Sequence, residues 1–139
     1  MSVGRIDHVA IEVSDLDRFI DQLVATGGMR LLRRGSAKRT GQRLAMVGDA
    51  MGMKFELIEN PAATAPRYLH VAFRTADVAQ SLASLAERGW RHERGPFRLE
   101  EAKAQSGLVS DGNGFEVQVL TYDSDSPDIV EWAEGEEKS

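Results

Sequence analysis

Two stretches of the chain alternate apolar and polar residues, and each is followed by a different apolar spacing. The stretches are "IDHVAIEV" from residue 6 and "YLHVAFRT" from residue 68. A period of two is typical of a β-strand with one packed face. The spacing that follows is three and four residues, which predicts an amphipathic helix. The apolar stripes are Leu16, Phe19, Ile20, Leu23 and Val24 after the first stretch and Val78, Leu82, Leu85 and Ala86 after the second.

Polar residues and glycines bound both predicted helices. Ser14 and Asp77 are the expected N-caps, because a side-chain oxygen there can accept a hydrogen bond from a free backbone N–H group of the first turn. Gly27 and Gly89 are the expected stops, because glycine readily adopts the left-handed conformation that commonly ends a helix. One helix is therefore predicted in each half of the chain.

Three more strands are predicted after each helix. Their ranges are 29–38, 41–48 and 53–59 after the first helix, and 90–98, 104–110 and 114–122 after the second. The turns "GDAMG" and "DGNG" contain the Asp, Asn and Gly residues that tolerate positive φ between antiparallel strands. Each half of the chain therefore has the pattern of one βαβββ module.

The two halves also share residues at a fixed offset of 62 positions. The matches are His8, Val9 and Ala10 with His70, Val71 and Ala72, Asp15 with Asp77, Leu23 with Leu85, and Gly27 with Gly89. They fall on corresponding parts of a strand, a helix cap, a helix face and a helix stop. We therefore predict an α+β fold of two tandem βαβββ modules, about residues 5–60 and 67–122, in a single domain of residues 1–122.

Composition narrows the class of protein. At 139 residues with 42% apolar residues, the chain fits one domain with an ordinary core. It has no cysteine, which excludes disulfides, thiolate metal sites and a cysteine nucleophile. The N-terminus lacks the pattern of a signal peptide, and no segment has the ~20 apolar residues of a membrane span. We therefore expect a soluble cytoplasmic protein without a membrane partner.

Charge is uneven along the chain. Residues 1–122 contain 16 basic and 15 acidic side chains, whereas residues 123–139 contain 1 and 7. The near-neutral body gives no electrostatic basis for a nucleic-acid partner. The acidic tail, 123–139, is expected to form a short helix with Ser126 as its cap and Pro127 in its first turn. Its apolar residues, expected to dock on the body or on a second subunit, are Ile129, Val130 and Trp132.

Two histidines and two glutamates occupy the same predicted face of the strands. Alternate strand residues point to opposite sides, so His8 and His70 point away from the helices. On the last strand of each module, "FELI" and "FEVQ" match at an offset of 60 positions, a two-residue slip, and present Glu56 and Glu116. If the two sheets join, the four side chains converge, and such a set suits one divalent ion of the Ni, Co, Zn, Mn or Fe group.

The sequence resembles the vicinal oxygen chelate superfamily, which includes glyoxalase I, methylmalonyl-CoA epimerase, extradiol dioxygenases and the fosfomycin and bleomycin resistance proteins. The resemblance covers residues 5–122 and rests on "DHVAIEVSDL", "KFELIE", "LHVAFRTADV" and "SDGNGFEVQVL". It implies that the two modules form one curved, partly open mixed sheet, and that the protein is a homodimer. It also implies a metal site with ligands on the first and last strand of each module, namely His8, Glu56, His70 and Glu116.

The resemblance further implies a type of reaction. The metal acts as a Lewis acid on a small substrate, and a carboxylate moves a proton next to a carbonyl group. Glu56 or Glu116 could serve as that base after leaving the metal, and Glu12, on the same predicted face, is a further candidate. The implied activity is that of a glyoxalase I-like lyase or isomerase, or of an epimerase.

Features of the sequence point to both of these branches. The set of His, Glu, His and Glu looks most like glyoxalase I, since the epimerases usually have Gln in place of Glu56. Bacterial glyoxalase I enzymes tend to have Arg in place of Glu12, however, and "DHVAIEVSDLD" looks more like the epimerases. Arg74, Arg43 and Gln118 are the candidate substrate-binding residues, and an anionic substrate would suit the arginines. Arg74 could instead neutralise Glu12.

Two other functions stay open on the sequence alone. A metal-free protein that binds or sequesters a small molecule has the same fold in this superfamily, but such proteins usually lose the ligand residues that this chain keeps. An Fe(II) dioxygenase would need two histidines, one carboxylate and open positions for O2, which a fourth ligand would crowd. A metal-dependent lyase, isomerase or epimerase with a small-molecule substrate is therefore the leading prediction.

Overall fold

The structure, a computed structural model, describes residues 4–130, which form two helices and eight strands. The elements of the first half are β1 (Ile6–Val13), α1 (Leu16–Gly27), β2 (Arg30–Ser36), β3 (Arg43–Gly48) and β4 (Lys54–Glu59). Those of the second half are β5 (Arg67–Arg74), α2 (Val78–Glu87), β6 (Arg91–Leu99), β7 (Ala104–Ser110) and β8 (Glu116–Tyr122). The predicted βαβββ order of both modules is confirmed. Within the described range, neither helix has the length and apolarity needed to cross a membrane.

The strands form one mixed sheet in the order β2-β3-β4-β1-β5-β8-β7-β6. Within each module the last three strands pair antiparallel in chain order. The first and last strands of a module pair in parallel, β1 with β4 and β5 with β8. The strands that carry the predicted ligands are therefore immediate neighbours within each module.

The chain folds into two compact units. One consists of residues 4–8 with Leu69–Ser126, and the other of Val9–Tyr68 with residues 127–130. In the unit with Pro127, α1 packs on its strands through a buried cluster of Val13, Leu16, Ile20, Ala45, Val47 and Leu57. In the unit with His8, α2 packs on its strands through Val78, Leu82, Val109, Val117 and Val119. Because strand residues alternate, the predicted ligands lie on the opposite face from each helix.

The ends of α1 differ by one residue from the prediction. Asp15, not Ser14, is the N-cap, and its carboxylate accepts a hydrogen bond of 3.1 Å from the N–H of Arg18. Gly28, not Gly27, has the left-handed conformation, with a φ of 67°. The whole helix is thus shifted by one position, because the aspartate caps in place of the neighbouring serine.

The ends of α2 agree with the prediction. Asp77 accepts a hydrogen bond of 3.0 Å from the N–H of Gln80, and Gly89 has a φ of 96° just after the helix. The predicted apolar stripes of both helices are one residue too long. Val24 is 45% exposed, and Ala86 is also exposed.

The segment after β8 does not begin the predicted helix within its described part. Residues 123–130 contain turns only, and Ser126 Oγ donates a hydrogen bond to the carbonyl of Ala102 instead of capping a helix. Val130, one of the three apolar residues predicted to dock, is 4% exposed. Trp132 lies outside the described residues.

Asp128 anchors this segment. It is 1% exposed, and its two carboxylate oxygens accept hydrogen bonds of 2.7 and 3.0 Å from Arg33 on β2. Lys54, at the start of β4, is also buried, and its Nζ donates to the backbone carbonyl of Asp128. The segment from Pro127 is thus fixed to the first module by charged side chains as well as by apolar contact.

Glu59, at the end of β4, connects three elements. Its carboxylate accepts a hydrogen bond of 2.9 Å from the N–H of Leu16 and bonds of 2.9 and 3.0 Å from Arg43. The Arg43 guanidinium, with the Leu16 N–H, lowers the pKa of Glu59 from 4.5 to about 2. Because the folded pKa is depressed, the stabilisation from the ionised form is present above the unfolded pKa and is lost as the pH falls toward about 2.

We expect Glu59→Gln to lower the free energy of unfolding by about 1–3 kcal/mol at neutral pH, because charged hydrogen bonds are lost at a helix N-terminus. The difference from wild type should shrink as the pH falls from 4.5 toward about 2, since wild-type Glu59 then protonates as well. Urea unfolding at a series of pH values measures this. The control is Glu87→Gln, an exposed change with an expected effect under about 0.5 kcal/mol. A pH-independent loss for Glu59→Gln would contradict the depressed pKa.

Candidate metal centre

Two of the three histidines lie side by side. The ring centroids of His8 on β1 and His70 on β5 are 5.8 Å apart, at an interplanar angle of 69°. His8 is buried and His70 is half-buried, and the Nε2 atoms of both are buried. The third histidine, His92, is exposed, and its Nε2 lies 2.9 Å from the carbonyl oxygen of Gly95. The two histidines that match in the repeat are therefore the two that meet.

A carboxylate orients the ring of His8. Nδ1 of His8 lies 2.7 Å from Oδ2 of Asp7. The two atoms are within hydrogen-bonding distance, and a carboxylate is a common orienting partner of a metal-binding histidine.

The glutamates lie on the last strand of each module, at different registers. In the β5–β8 ladder, His70 lies directly opposite Glu116. In the β1–β4 ladder, Glu56 lies opposite Ala10, which is two residues beyond His8. Residues two apart on a strand share a face, so both glutamates lie on the predicted face.

The repeat offset of 62 residues holds through both of these ladders. Glu56 therefore corresponds to Gln118 in the second module, and Glu116 corresponds to Lys54 in the first. The predicted two-residue slip between "FELI" and "FEVQ" is wrong, because the stretch between the first and last strand has the same length in both modules. The two glutamates are consequently not equivalent positions of the repeat.

Three of the four predicted ligands meet the spacing of a metal site. His8, Glu56 and His70 each offer one possible ligand atom, and these atoms lie within 4.8 Å of one another. The group could hold one metal ion, and imidazole nitrogen and carboxylate oxygen are usual ligands of ions of the predicted kind. Among the residues that the structure describes, Glu116 is not in this group and instead lies beside His70 on the neighbouring strand.

Glu12 is engaged in an ion pair. It is 8% exposed, and each carboxylate oxygen lies 3.2 Å from a nitrogen of Arg67. Hydrogen bonding from Arg67 lowers the pKa of Glu12 below its ordinary value, which makes it a weaker base. This argues against the predicted role of Glu12 in proton transfer. The predicted pairing of Glu12 with Arg74 is wrong, because Arg67 takes that place and Nε of Arg74 donates to Asp7 at 2.8 Å.

Arg43 lies away from the predicted ligands. Its guanidinium donates to Glu59 and to Asp17 on α1. It is two residues from Ala45, which belongs to the core under α1, so it shares the helix-covered face. The structure does not bring Arg43 to the face of Glu56, and its predicted substrate-binding role has no support from this position.

Gln118 does lie on the predicted face, two residues beyond Glu116. It is 6% exposed, and its Nε2 donates a hydrogen bond of 2.7 Å to Oγ of Ser106. Its Oε1 is buried and accepts no hydrogen bond from the described residues. A buried acceptor of this kind costs about 1–3 kcal/mol unless a ligand or water supplies a donor. Gln118 therefore offers an acceptor to a bound molecule.

The pattern of the sequence does not reveal Asp7, Arg67 or Tyr122 as parts of this region. Alternation assigns Asp7 to the opposite face from His8, although its carboxylate reaches the His8 ring. Tyr122 also donates to Asp7, across a separation of 115 residues that no local pattern can connect. The one available signal is the Asp-His dipeptide itself, since a carboxylate is a common orienting partner of a metal-binding histidine.

Residues 7–106 match the family model described as the glyoxalase/bleomycin resistance protein/dioxygenase superfamily. A probable lactoylglutathione lyase of Vibrio parahaemolyticus is 27% identical over 127 residues, which cover 86% of this chain and 92% of that protein. A probable lactoylglutathione lyase of Vibrio cholerae is 25% identical with the same coverage.

Solved structures share the fold. A methylmalonyl-CoA epimerase variant of Streptomyces coelicolor in complex with 2-nitronate-propionyl-CoA has a TM-score of 0.74 and 25% identity, over 88% of this chain and 100% of that chain. The methylmalonyl-CoA epimerase of Mycobacterium tuberculosis has a TM-score of 0.77 over 87% and 89%, and its 21% identity shows the fold alone. These matches confirm the resemblance that the motifs indicate, and the chain belongs to the glyoxalase/bleomycin resistance protein/dioxygenase superfamily.

Proposed function

We propose that this chain is a metal-dependent enzyme that moves a proton next to a carbonyl group of a small substrate. The observation that carries the proposal is the grouping of His8, Glu56 and His70 as possible ligands of one ion. The relatives support an enzyme, since they are named as lyases and epimerases.

The donor set suits one divalent ion of the Ni, Co, Zn, Mn or Fe group. Imidazole nitrogens and a carboxylate are usual ligands of these ions. His8 and His70 would hold the ion without adding charge, and Glu56 would offset part of its charge. When bound, the ion would polarise a substrate carbonyl and make the neighbouring C–H bond more acidic.

We assign the transfer of the proton to Glu116. It lies opposite His70 and outside the group of three ligand atoms. A carboxylate bound to an ion is a poor base, whereas one beside the ion can accept a proton from carbon and return it. Glu12 is less suited to this step, because its hydrogen bonds from Arg67 stabilise the ionised form.

The names of the relatives suggest the substrate class. Lactoylglutathione and methylmalonyl-CoA are both thioesters. We therefore propose an acyl thioester, or the thiohemiacetal of a 2-oxoaldehyde that is converted to one. The buried Oε1 of Gln118 would accept a hydrogen bond from a hydroxyl or amide group of this molecule.

Metal binding by the purified protein tests the proposal. After treatment with a chelator, the wild type is expected to bind about one Ni, Co, Zn or Mn ion per chain in a calorimetric titration. We expect His70→Ala to lower the affinity by more than about 100-fold, because a ligand is removed. The matched control is His92→Ala, which removes the exposed histidine and should leave the affinity within about threefold.

Turnover is then measured with thiohemiacetals of 2-oxoaldehydes and with acyl-CoA thioesters. Binding that is lost in His70→Ala and kept in His92→Ala, with turnover of either class, supports the proposal. A wild type that binds no divalent ion would overturn metal dependence and would favour a metal-free protein that binds a small molecule on the same fold.

A further inference from the structure

The carboxylate of Asp7 lies within hydrogen-bonding distance of three side chains of its own unit. Oδ2 lies 2.7 Å from Nδ1 of His8 and accepts from the hydroxyl of Tyr122 at 2.5 Å, and Oδ1 accepts from Nε of Arg74 at 2.8 Å. Asp7 is 1% exposed. A buried carboxylate requires an opposite charge and hydrogen-bond donors, and these neighbours supply both.

The backbone around these side chains is also fixed. The N–H of Arg74 donates to the carbonyl of Arg5 at 2.9 Å, and the N–H of Gly4 donates to the carbonyl of Arg74 at 2.6 Å. The guanidinium carbon of Arg74 lies 5.2 Å from the centroid of the Tyr122 ring. The position of the Asp7 carboxylate is therefore determined by residues on three strands.

The position of the Asp7 carboxylate bears on which ring nitrogen of His8, Nδ1 or Nε2, carries the proton. A neutral imidazole carries its proton on either Nδ1 or Nε2, and the neighbour of one nitrogen selects the form. The Asp7 carboxylate already acts as the acceptor toward Arg74 and Tyr122, and an acceptor beside Nδ1 selects the form with the proton on that nitrogen. We infer that Asp7 is a positioning residue that holds His8 as the Nδ1–H tautomer and so presents Nε2 as a metal ligand. The ligand role rests on the proposed function, whereas the tautomer does not depend on the ion.

A purely structural role of Asp7 makes a different prediction. If Asp7 only neutralised Arg74 and filled a buried site, its loss would lower stability without moving the proton of His8. Asp7→Asn separates the two roles, because an amide has nearly the same shape but can either accept from Nδ1–H or donate to a bare Nδ1. Tyr122→Phe is the matched control, since it removes one donor and leaves the carboxylate.

The first measurement is ¹⁵N NMR of the metal-free protein with labelled histidine, at a pH where the imidazoles are neutral. The signal of His8 is identified by its absence in His8→Ala. The wild type and Tyr122→Phe are expected to show the Nδ1–H tautomer, and Asp7→Asn a mixture or the Nε2–H form. An Nε2–H tautomer in the wild type, or an unchanged Nδ1–H tautomer in Asp7→Asn, would overturn the inference.

The second measurement is titration with Zn, Ni or Co ions. Asp7→Asn is expected to lower the affinity by about 10–100-fold, and Tyr122→Phe by less than about threefold. Equal affinities for the wild type and a folded Asp7→Asn would overturn the positioning role. If Asp7→Asn does not fold, an Nε2–H tautomer of His8 in the wild type still overturns the inference. An Nδ1–H tautomer in a wild type that binds no ion would support the tautomer assignment and contradict the proposed function.

Discussion

Glu116→Gln is expected to lower kcat by about 10²–10⁴-fold, the usual contribution of a general base, while the protein keeps its bound ion. The carboxylate lies opposite His70 in the β5–β8 ladder and outside the group formed by His8, Glu56 and His70. Glutamine has nearly the same shape and an oxygen that can accept a hydrogen bond, but it cannot take up a proton from carbon. Loss of turnover with retained ion would thus identify the proton-transferring group.

Metal content and kcat of the same preparation are the two measurements for Glu116→Gln. Glu12→Gln provides the comparison and is expected to lower kcat by less than about tenfold, since Glu12 is already paired with Arg67. A Glu116→Gln protein with kcat within about tenfold of wild type would rule out Glu116 as the base. If the ion and the activity are lost together, Glu116 is a ligand, as the four-residue set implies.

Asp128→Ala is expected to lower the free energy of unfolding by about 3–5 kcal/mol. The side chain of Asp128 is 2% exposed and that of its partner Arg33 is 10% exposed. Removal of the carboxylate would leave the guanidinium buried without its opposite charge, which costs far more than the loss of a surface pair. The hydrogen bond from Lys54 to the backbone carbonyl of Asp128 would remain possible in the variant.

Asp125→Ala is the matched control, three residues earlier in the same segment. Asp125 pairs with Lys103, and their side chains are 68% and 45% exposed. Such a surface pair contributes little to stability because both groups stay hydrated. Urea unfolding of the two variants measures the difference. Similar losses in both would show that burial of the Arg33–Asp128 pair adds nothing to stability.

The fold was predictable because it depends on local periodicity and on an internal repeat. The period of two in β1 and β5, the helical stripes and the common offset define both modules before any long-range contact is known. The errors in the predicted elements lie at the ends of the helices. Asp15 replaces Ser14 as the cap because adjacent capping residues differ by one position, which periodicity cannot resolve.

The candidate site was predictable only as far as strand faces determine it. Alternation placed His8, Glu56 and His70 correctly with respect to the helices. It could not show that Glu56 and Glu116 occupy different registers, since register depends on strand pairing. The hydrogen-bond partners of long side chains were also not predicted, because these partners lie far away in the sequence. Arg43 on β3 is an example, because its guanidinium donates to Asp17 on α1.

The contacts that hold the two ends of the described chain have a further consequence for how the protein folds. Tyr122 meets Asp7 across 115 residues, and Lys54 meets Asp128 across 74. Each contact must close a long loop before it stabilises anything, and folding rates fall as the mean separation of contacting residues grows. The chain is therefore expected to fold slowly for its size. During synthesis, its first module cannot complete its packing until the segment around Asp128 has left the ribosome.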